Sequence, residues 1–574
     1  MDGYTMLLST LLLQLGVAAV AKATSAHANT TSADPKLGAV ASESAVCSDI
    51  GIEMLKEGGN AADALIATQF CVGVIGMYHS GIGGGGFMLV RSKNGSYEFI
   101  DFREKAPAAA FEEMYSAPYG NSDMSLYGGL ASGVPGEIRG LEHLHKKYAS
   151  LPWKRLMQPA IKLARYGFPV TRDLVRYMGT NDFLVTDETW AIDFAPNGTR
   201  VGLGDTMTRK RYANTLESIA EYGGDAFYKG ALANATITEL RKKNGTMSLA
   251  DLANYTVEIR TPSNITYRGY KIHSGTAPSS GAVVCSVLKI VEGYDMSSPS
   301  ALNLSTHYLD EAMRFAYGQR TLLGDASFLP NLTAYQQKMV SEKTAAEIRS
   351  EIEPYHTLNV SEYDPSMYGI LTDDGTSAAV AADKSGLTIA ITSTINTIFG
   401  SRVMIPETGV IMNNEMNDFS IPNTTNAFGY SPAPANYISP FKRPLSSISP
   451  TIVEHANGTV YIAHASAGGS RIITEIIQHL WHVLDQNMTS AEALRQPRMH
   501  DQLSPNTVSV EYGSETFGIQ GYSNATTAFL KSLGANVAFV AVGSTTAQAL
   551  RRLGNGTWEA AGEPRQLDSG GFAI

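Results

Sequence analysis

The stretch DDGTSAAVAADKSGLTIAITSTIN (residues 373–396) reads as a β-hairpin. Gly375-Thr376 stands where a turn ends and the first arm begins, and Thr392, Ser393 and Thr394 stand together on the returning arm. A hairpin needs no such cluster of hydroxyls. Their presence at the end of a strand pair directs attention to chemistry.

Outward from this hairpin the chain alternates strand pairs with helix pairs. SAVCSDIGIEMLKEGG sets Val46, Ile50 and Met54 four apart, a helical stripe closed by Gly58-Gly59. Asn60 is placed to cap a second apolar helix, NAADALIATQFCVGVIG, with Asp63 in its first turn. FMLVRSKNGSYEFIDF predicts two strands around Asn94-Gly95. Helical patterns dominate residues 131–352. After Gly375 come hairpins, the second being SPTIVEHANGTVYIAHASAGG around Asn457-Gly458, followed by a helix in SRIITEIIQHLWHVLDQN. Strand pairs alternating with helix pairs imply sheets covered by helical layers.

The composition is that of a globular protein, with 44% hydrophobic and 17% charged residues. A net charge of −10 supplies no attraction for nucleic acid or acidic membranes. Met6 opens an apolar run to about Ala21, short for a membrane span, with AVA and AHA as small-x-small cleavage candidates. Residues 1–28 are therefore read as a signal peptide, with a signal anchor as the alternative. Fifteen of the 27 asparagines head N-x-S/T sequons, where ordinary Ser/Thr usage gives roughly four. That excess places the chain in a secretory lumen. The cysteines are Cys47, Cys71 and Cys285; the first two sit in neighbouring helical segments and could bridge, leaving Cys285 as a buried thiol. No CxxC or His/Cys cluster suggests a metal.

Several motifs have plain readings. The Gly83–Gly86 run lacks the Gly-Lys-Ser/Thr of a phosphate loop and reads as a close backbone approach. APSSG, with Ser279 and Ser280, lacks the first glycine of a nucleophile elbow and no strand clearly precedes it. His143 and His145, two apart on a helix, point in different directions. Others combine. NNEMNDFS sets Glu415 and Asp418 three apart, two acids that suit an ammonium; RPLSSISP offers Ser446 and Ser447, and DFREKAP offers Arg103, which together suit a carboxylate. SAGGSRIITE puts Gly468-Gly469 between a strand and a helix, where two bare amides can stabilise an oxyanion. Such a set reads an α-amino acid head group beside an acyl-transfer centre.

The chain resembles γ-glutamyltranspeptidases from about Lys36 to its end, and VMIPETGVIMNNEMNDFSIPNTTNAFGYSPAPANYISPFKRPLSSISPTIV looks like the fungal branch. GIGGGGF, DFREKAP, SGVPGEIRG, DDGTS, STIN, NNEMNDFS, PLSSISPTI and SAGGS carry the resemblance in order. It implies an α/β fold, the αββα sandwich of N-terminal-nucleophile hydrolases. It also implies self-cleavage between Gly375 and Thr376, giving a large subunit (29–375) and a small catalytic one (376–574) that stay together as one structural unit. By motif, Thr376 is the implied nucleophile and Thr394 its supporting hydroxyl. Asn396, Glu415 and Asp418 are implied to hold the substrate ammonium, Arg103, Ser446 and Ser447 its carboxylate, and Gly468 and Gly469 the oxyanion. Cys47 and Cys71 match a disulfide of animal members. No cofactor is implied. The implied substrates are glutathione and other γ-glutamyl compounds, with water, amino acids or dipeptides as acceptors. Two positions depart from the pattern: Ala378 stands where many members carry His, and Ile398 where animal members carry Tyr.

The chemistry accounts for the hydroxyl at a chain break. A threonine hydroxyl is a weak nucleophile until a base takes its proton. The α-amino group of an N-terminal residue, with a reference pKa of about 7.7–8.0, is a base matched to neutral pH. It exists only once the peptide before Thr376 is broken.

Overall fold

The computed structural model describes residues 38–369, 375–424 and 430–574. The expected signal peptide or anchor, the sequon at Asn29 and residues 373–374 of the opening stretch lie outside them. Thirteen strands form two packed sheets: β1 (Gly38–Ser42), β2 (Gly85–Arg91), β3 (Tyr97–Asp101), β4 (Glu258–Arg260), β5 (Ser263–Tyr267), β6 (Tyr270–Ser274), β7 (Ser377–Asp383), β8 (Thr388–Thr394), β9 (Thr451–Glu454), β10 (Val460–Ala467), β11 (Thr546–Arg552), β12 (Trp558–Ala561) and β13 (Gly570–Ala573). The first sheet has the order β13-β1-β7-β8-β2-β3-β4, the second β12-β11-β10-β9-β6-β5, and every neighbouring pair is antiparallel. Each sheet takes strands from both sides of Gly375.

The helical layers are α1 (Ala45–Lys56) and α2 (Ala61–Ile75) over the first sheet, and α3 (Gly281–Val291) and α5 (Arg471–Leu484) over the second, with α4 (Leu302–Arg320) packed on α3. All 15 residues of α2 are buried, as an all-round apolar helix requires. Asn60 caps it and forms a capping box with Asp63. Cys47 of α1 and Cys71 of α2 are joined by a disulfide, and Cys285 is a buried free thiol. The helix expected around Val46, Ile50 and Met54 is present, but Val46 is exposed; Cys47, Ile50 and Met54 carry the buried face.

The opening hairpin is β7–β8, in the middle of the first sheet. Its alternation divides two cores: Ala378, Val380, Ala382 and Ala390 face the second sheet, while Ala379, Ala381, Ile389 and Ile391 face the helices. The hairpins at Asn94-Gly95 and Asn457-Gly458 are also present. The segment read as helical over 131–352 contains β4, β5 and β6, which the sequence reading passed over. These arms are three to five residues long, and β5 alternates burial residue by residue.

Of the 14 sequon asparagines in the described residues, 13 are exposed and Asn303 is half-buried, so folding leaves nearly all of them reachable. Among the described residues no helix is long and apolar enough to cross a membrane.

Candidate active site

Register places the three hydroxyls of the opening stretch. Ser377 pairs with Ser393 and Ala378 with Thr392, so the same register carried one step sets Thr376 opposite Thr394. Alternation points Thr376, Thr392 and Thr394 to the second sheet and Ser393 the other way. The hydrogen bonds agree: Thr392 Oγ1 donates to Ser466 O of β10 at 3.1 Å, and Ser393 Oγ to Glu137 on the helical side at 2.7 Å. Thr376 is buried, and its hydroxyl donates to the carbonyl oxygen of Gly375. Gly375 has φ +117°, and a Cβ there would lie 2.3 Å from Asn396 O, so only glycine fits the bond before Thr376.

Asn396 joins the hydroxyl pair to the charged groups. Its backbone N–H donates to Thr394 Oγ1 at 2.7 Å, and its Nδ2 donates to Asp418 Oδ1 at 2.8 Å and to Asn414 O at 3.0 Å. Its φ of +73° suits asparagine better than most residues. Arg103, in the loop after β3, donates to Glu415 Oε1 at 2.6 Å and to Asp418 Oδ2. Glu415 and Asp418 lie in one 3₁₀ turn, which puts both carboxylates on the same guanidinium. Arg103, Glu415 and Asp418 are all buried.

Ser446 and Ser447 are buried beside this group. Asn436 forms the link: its Nδ2 donates to Asp418 O at 2.7 Å, and its Oδ1 accepts from Leu445 N at 2.9 Å. Ser447 Oγ accepts from Arg320 Nη2 at 3.0 Å. Gly468 and Gly469 follow β10, with φ +120° and +57°. A Cβ on Gly468 would lie 2.4 Å from Ser544 O. The Thr392–Ser466 bond ties the end of β10 to the strand end that carries the threonines.

The plain readings can also be placed. Cβ atoms on Gly83, Gly84, Gly85 and Gly86 would meet backbone carbonyl oxygens at 2.0 to 2.4 Å, so these glycines serve close strand approach. Contrary to expectation a strand, β6, does precede APSSG and α3 follows it. Ser279 and Ser280 nevertheless donate to Ile448 O at 2.7 Å and Ser446 O at 2.6 Å, which makes them fasteners for the Ser446–Ser447 segment. His143 bonds Glu98, and His145 bonds Leu151 O.

The sequence reading missed Arg320, Asn436 and Glu104. Glu104 is fully buried beside Arg103, its two oxygens have no hydrogen-bond partner among the described residues, and burial pushes it up to about 8. Nothing in ALNLSTHYLDEAMRFAYGQR singles out Arg320, since Asp310, Glu311 and Arg314 are charged as well.

Two packed antiparallel sheets between helical layers, with a threonine at the head of a central strand, are the αββα architecture of N-terminal-nucleophile hydrolases. The chain belongs to the γ-glutamyltranspeptidase family, whose model ("Gamma-glutamyltranspeptidase") matches residues 47–572. It is 50% identical over 557 residues to a "Glutathione hydrolase proenzyme" of Arthroderma benhamiae, covering 94% of this chain and 93% of that one. It is 46% identical over 558 residues to a "Glutathione hydrolase" of Aspergillus flavus, covering 95% and 91%. Among solved structures, cephalosporin acylase from Bacillus halodurans superposes with a TM-score of 0.79 at 26% identity, covering 94% of this chain and 96% of that one.

Proposed function

We propose that the chain is a proenzyme that cuts itself between Gly375 and Thr376 and then acts as a glutathione hydrolase and γ-glutamyltransferase. The observation that carries this reading is the Asn396 linkage, which connects Thr394 to Asp418 and, through it, to Arg103 and Glu415. The hydroxyl that stands opposite Thr376 and the buried charged group are thereby linked, which supports reading them as one site.

In processing, Thr376 Oγ attacks the Gly375 carbonyl carbon, the peptide nitrogen leaves, and water hydrolyses the ester. The freed amine of Thr376 then takes the proton of its own hydroxyl. Thr376 Oγ attacks the γ-carbonyl carbon of the substrate. Arg103, Ser446 and Ser447 hold the α-carboxylate, while Asn396, Glu415 and Asp418 hold the α-ammonium, which fixes by position the carbon under attack. The amides of Gly468 and Gly469 stabilise the oxyanion, an effect worth roughly 3–4 kcal/mol per donor elsewhere. The leaving amine, cysteinylglycine for glutathione, departs with the proton, and the γ-glutamyl ester passes to water or to an amino acid or dipeptide. The two subunits remain a heterodimer, since each sheet draws strands from both. The exposed sequons support passage through a secretory lumen to an extracellular or vacuolar destination.

The test is a purified-protein assay with a γ-glutamyl anilide, with glutathione and with simple acyl amides, alongside N-terminal sequencing. Release from the γ-glutamyl compounds and a fragment beginning Thr-Ser-Ala-Ala are expected. The likeness to cephalosporin acylase raises acylase activity on other amides as the competing outcome. A faster reaction with the acyl amides would establish it. An active, unbroken chain would overturn the nucleophile assignment.

A further inference from the structure

The strand–turn–helix unit that carries Gly468 and Gly469 is closed by a buried carboxylate. His464 lies four residues before the turn on β10, and Glu475 lies on α5. His464 Nε2 and Glu475 Oε2 are 2.8 Å apart, so one hydrogen bond spans the turn. Glu475 Oε1 is 3.4 Å from Arg498 Nη2. Arg498 in turn donates from Nη1 to Thr545 O at 2.7 Å and from Nη2 to Glu563 Oε2 at 2.7 Å. Ser544 and Thr545 form the wall against which Gly468 packs, since a Cβ on Gly468 would meet Ser544 O at 2.4 Å and Thr545 Cα at 2.9 Å. Glu563 also accepts from Ala547 N at 2.7 Å and so anchors the strand behind that wall.

The turn is therefore gripped from three directions through one side chain. Glu475 ties the strand before the turn, the helix after it, and, through Arg498, the opposing Ser544–Thr545 backbone. Burial opposes its charge, but His464 and Arg498 together outweigh burial and hold the carboxyl below its ordinary range. Tyr317, donating to Ser470 O at 2.5 Å, adds an independent fastener on the helix side. Oxyanion donors act only when aimed at the place where charge develops, and a small displacement removes much of their effect.

We infer that Glu475, with His464 and Arg498, is a positioning residue that sets the aim of the Gly468 and Gly469 amides at the oxyanion. This rests on the reading of those two amides as oxyanion donors. It goes further by assigning their orientation to a buried cluster that touches neither substrate nor nucleophile.

The test compares Glu475→Gln and His464→Gln with the wild type in the processed heterodimer. The ground-state probe is L-glutamate as competitive inhibitor. The tetrahedral probe is a glutamate analogue with a boronic acid in place of the γ-carboxyl, whose boron accepts Thr376 Oγ while the hydroxyl proton passes to the Thr376 amine. Both variants should lose about tenfold in kcat and in boronate affinity, with KM and L-glutamate affinity within twofold of wild type. Glu475→Asp, which restores the charge, should recover part of the loss. Equal weakening of both probes, or no weakening of either, in a folded variant overturns the inference. If Glu475→Gln fails to fold, His464→Gln decides by the same comparison. A wild type that binds L-glutamate but shows no boronate inhibition would instead count against the oxyanion reading itself.

Discussion

Arg103 donates to Glu415 at 2.6 Å and also to Asp418, so the group assigned to a ligand carboxylate is paired with the two assigned to its ammonium. Within this buried group the one guanidinium offsets one of the two carboxylate charges. A zwitterion can exchange both partners at once, carboxylate for carboxylate at Arg103 and ammonium for guanidinium at the acids. A ligand with one charge leaves its opposite buried and alone, which costs about 3–5 kcal/mol.

Recognition of the two charges should therefore be coupled. Asp418→Ala should raise KM for γ-glutamyl substrates on the order of 100-fold while the two subunits still form. Analogues lacking either the α-amino or the α-carboxylate group should compete far more weakly than L-glutamate. Measured KM and inhibition constants check this. An unchanged KM in Asp418→Ala removes that residue from the ammonium site.

Thr376→Ala should give a single band of full precursor length and no γ-glutamyl release. The hydroxyl against the Gly375 carbonyl is the group proposed to break that bond. Thr376→Ser, which keeps a hydroxyl, should still be cut. Two bands from Thr376→Ala on a denaturing gel would show that another group performs the cleavage.

The sequence disclosed the parts that local rules govern. The hairpin of Ser377–Asp383 with Thr388–Thr394, the Asn60 cap and the two Asn-Gly turns follow from alternation and turn chemistry, and each is present. The strands β4 to β6 were not legible, because arms of three to five residues between long helices leave too little periodicity. The receptor was legible only as a set of residue types. Arg103 and Glu415 are 312 positions apart, and Arg320 and Ser447 are 127 apart, separations that no local pattern crosses. Residue chemistry suggested the grouping and resemblance reinforced it, whereas Arg320 belongs to no motif and stayed hidden.

Glu311 predicts a fall in stability above neutral pH. Burial, and then the neighbouring Asp310, push its carboxyl up to about 8, while in the unfolded chain it titrates near 4.5. Between those values the folded state binds more protons, so this contribution is complete below about 4.5 and is lost as pH rises to about 8. The buried His482 and His500, held down to about 4 and about 3 by burial, act oppositely, but only below about 6.5. The window from pH 6.5 to 8 therefore isolates the raised acids. Glu311→Gln, fixed neutral, should remove about 1–2 kcal/mol of the wild-type decline across that window. Denaturant unfolding at three pH values checks this, and parallel wild-type and variant curves would refute it.

The Cys47–Cys71 disulfide separates stability from catalysis. It closes a 24-residue separation between α1 and α2, for which loop entropy gives about 3 kcal/mol. Those helices lie on the outer face of the first sheet, whereas alternation turns Thr376 toward the second sheet. Replacing both cysteines by alanine should therefore lower the melting temperature by several degrees, yet leave kcat/KM unchanged well below melting. The single variant Cys285→Ala, which removes a buried thiol outside any bridge, serves as the comparison for loss of packing alone. If the double variant melts with the wild type, the bridge carries no stability. If it loses activity while still fully folded, the helical layer is coupled to the catalytic strand, contrary to the geometry of the sheet.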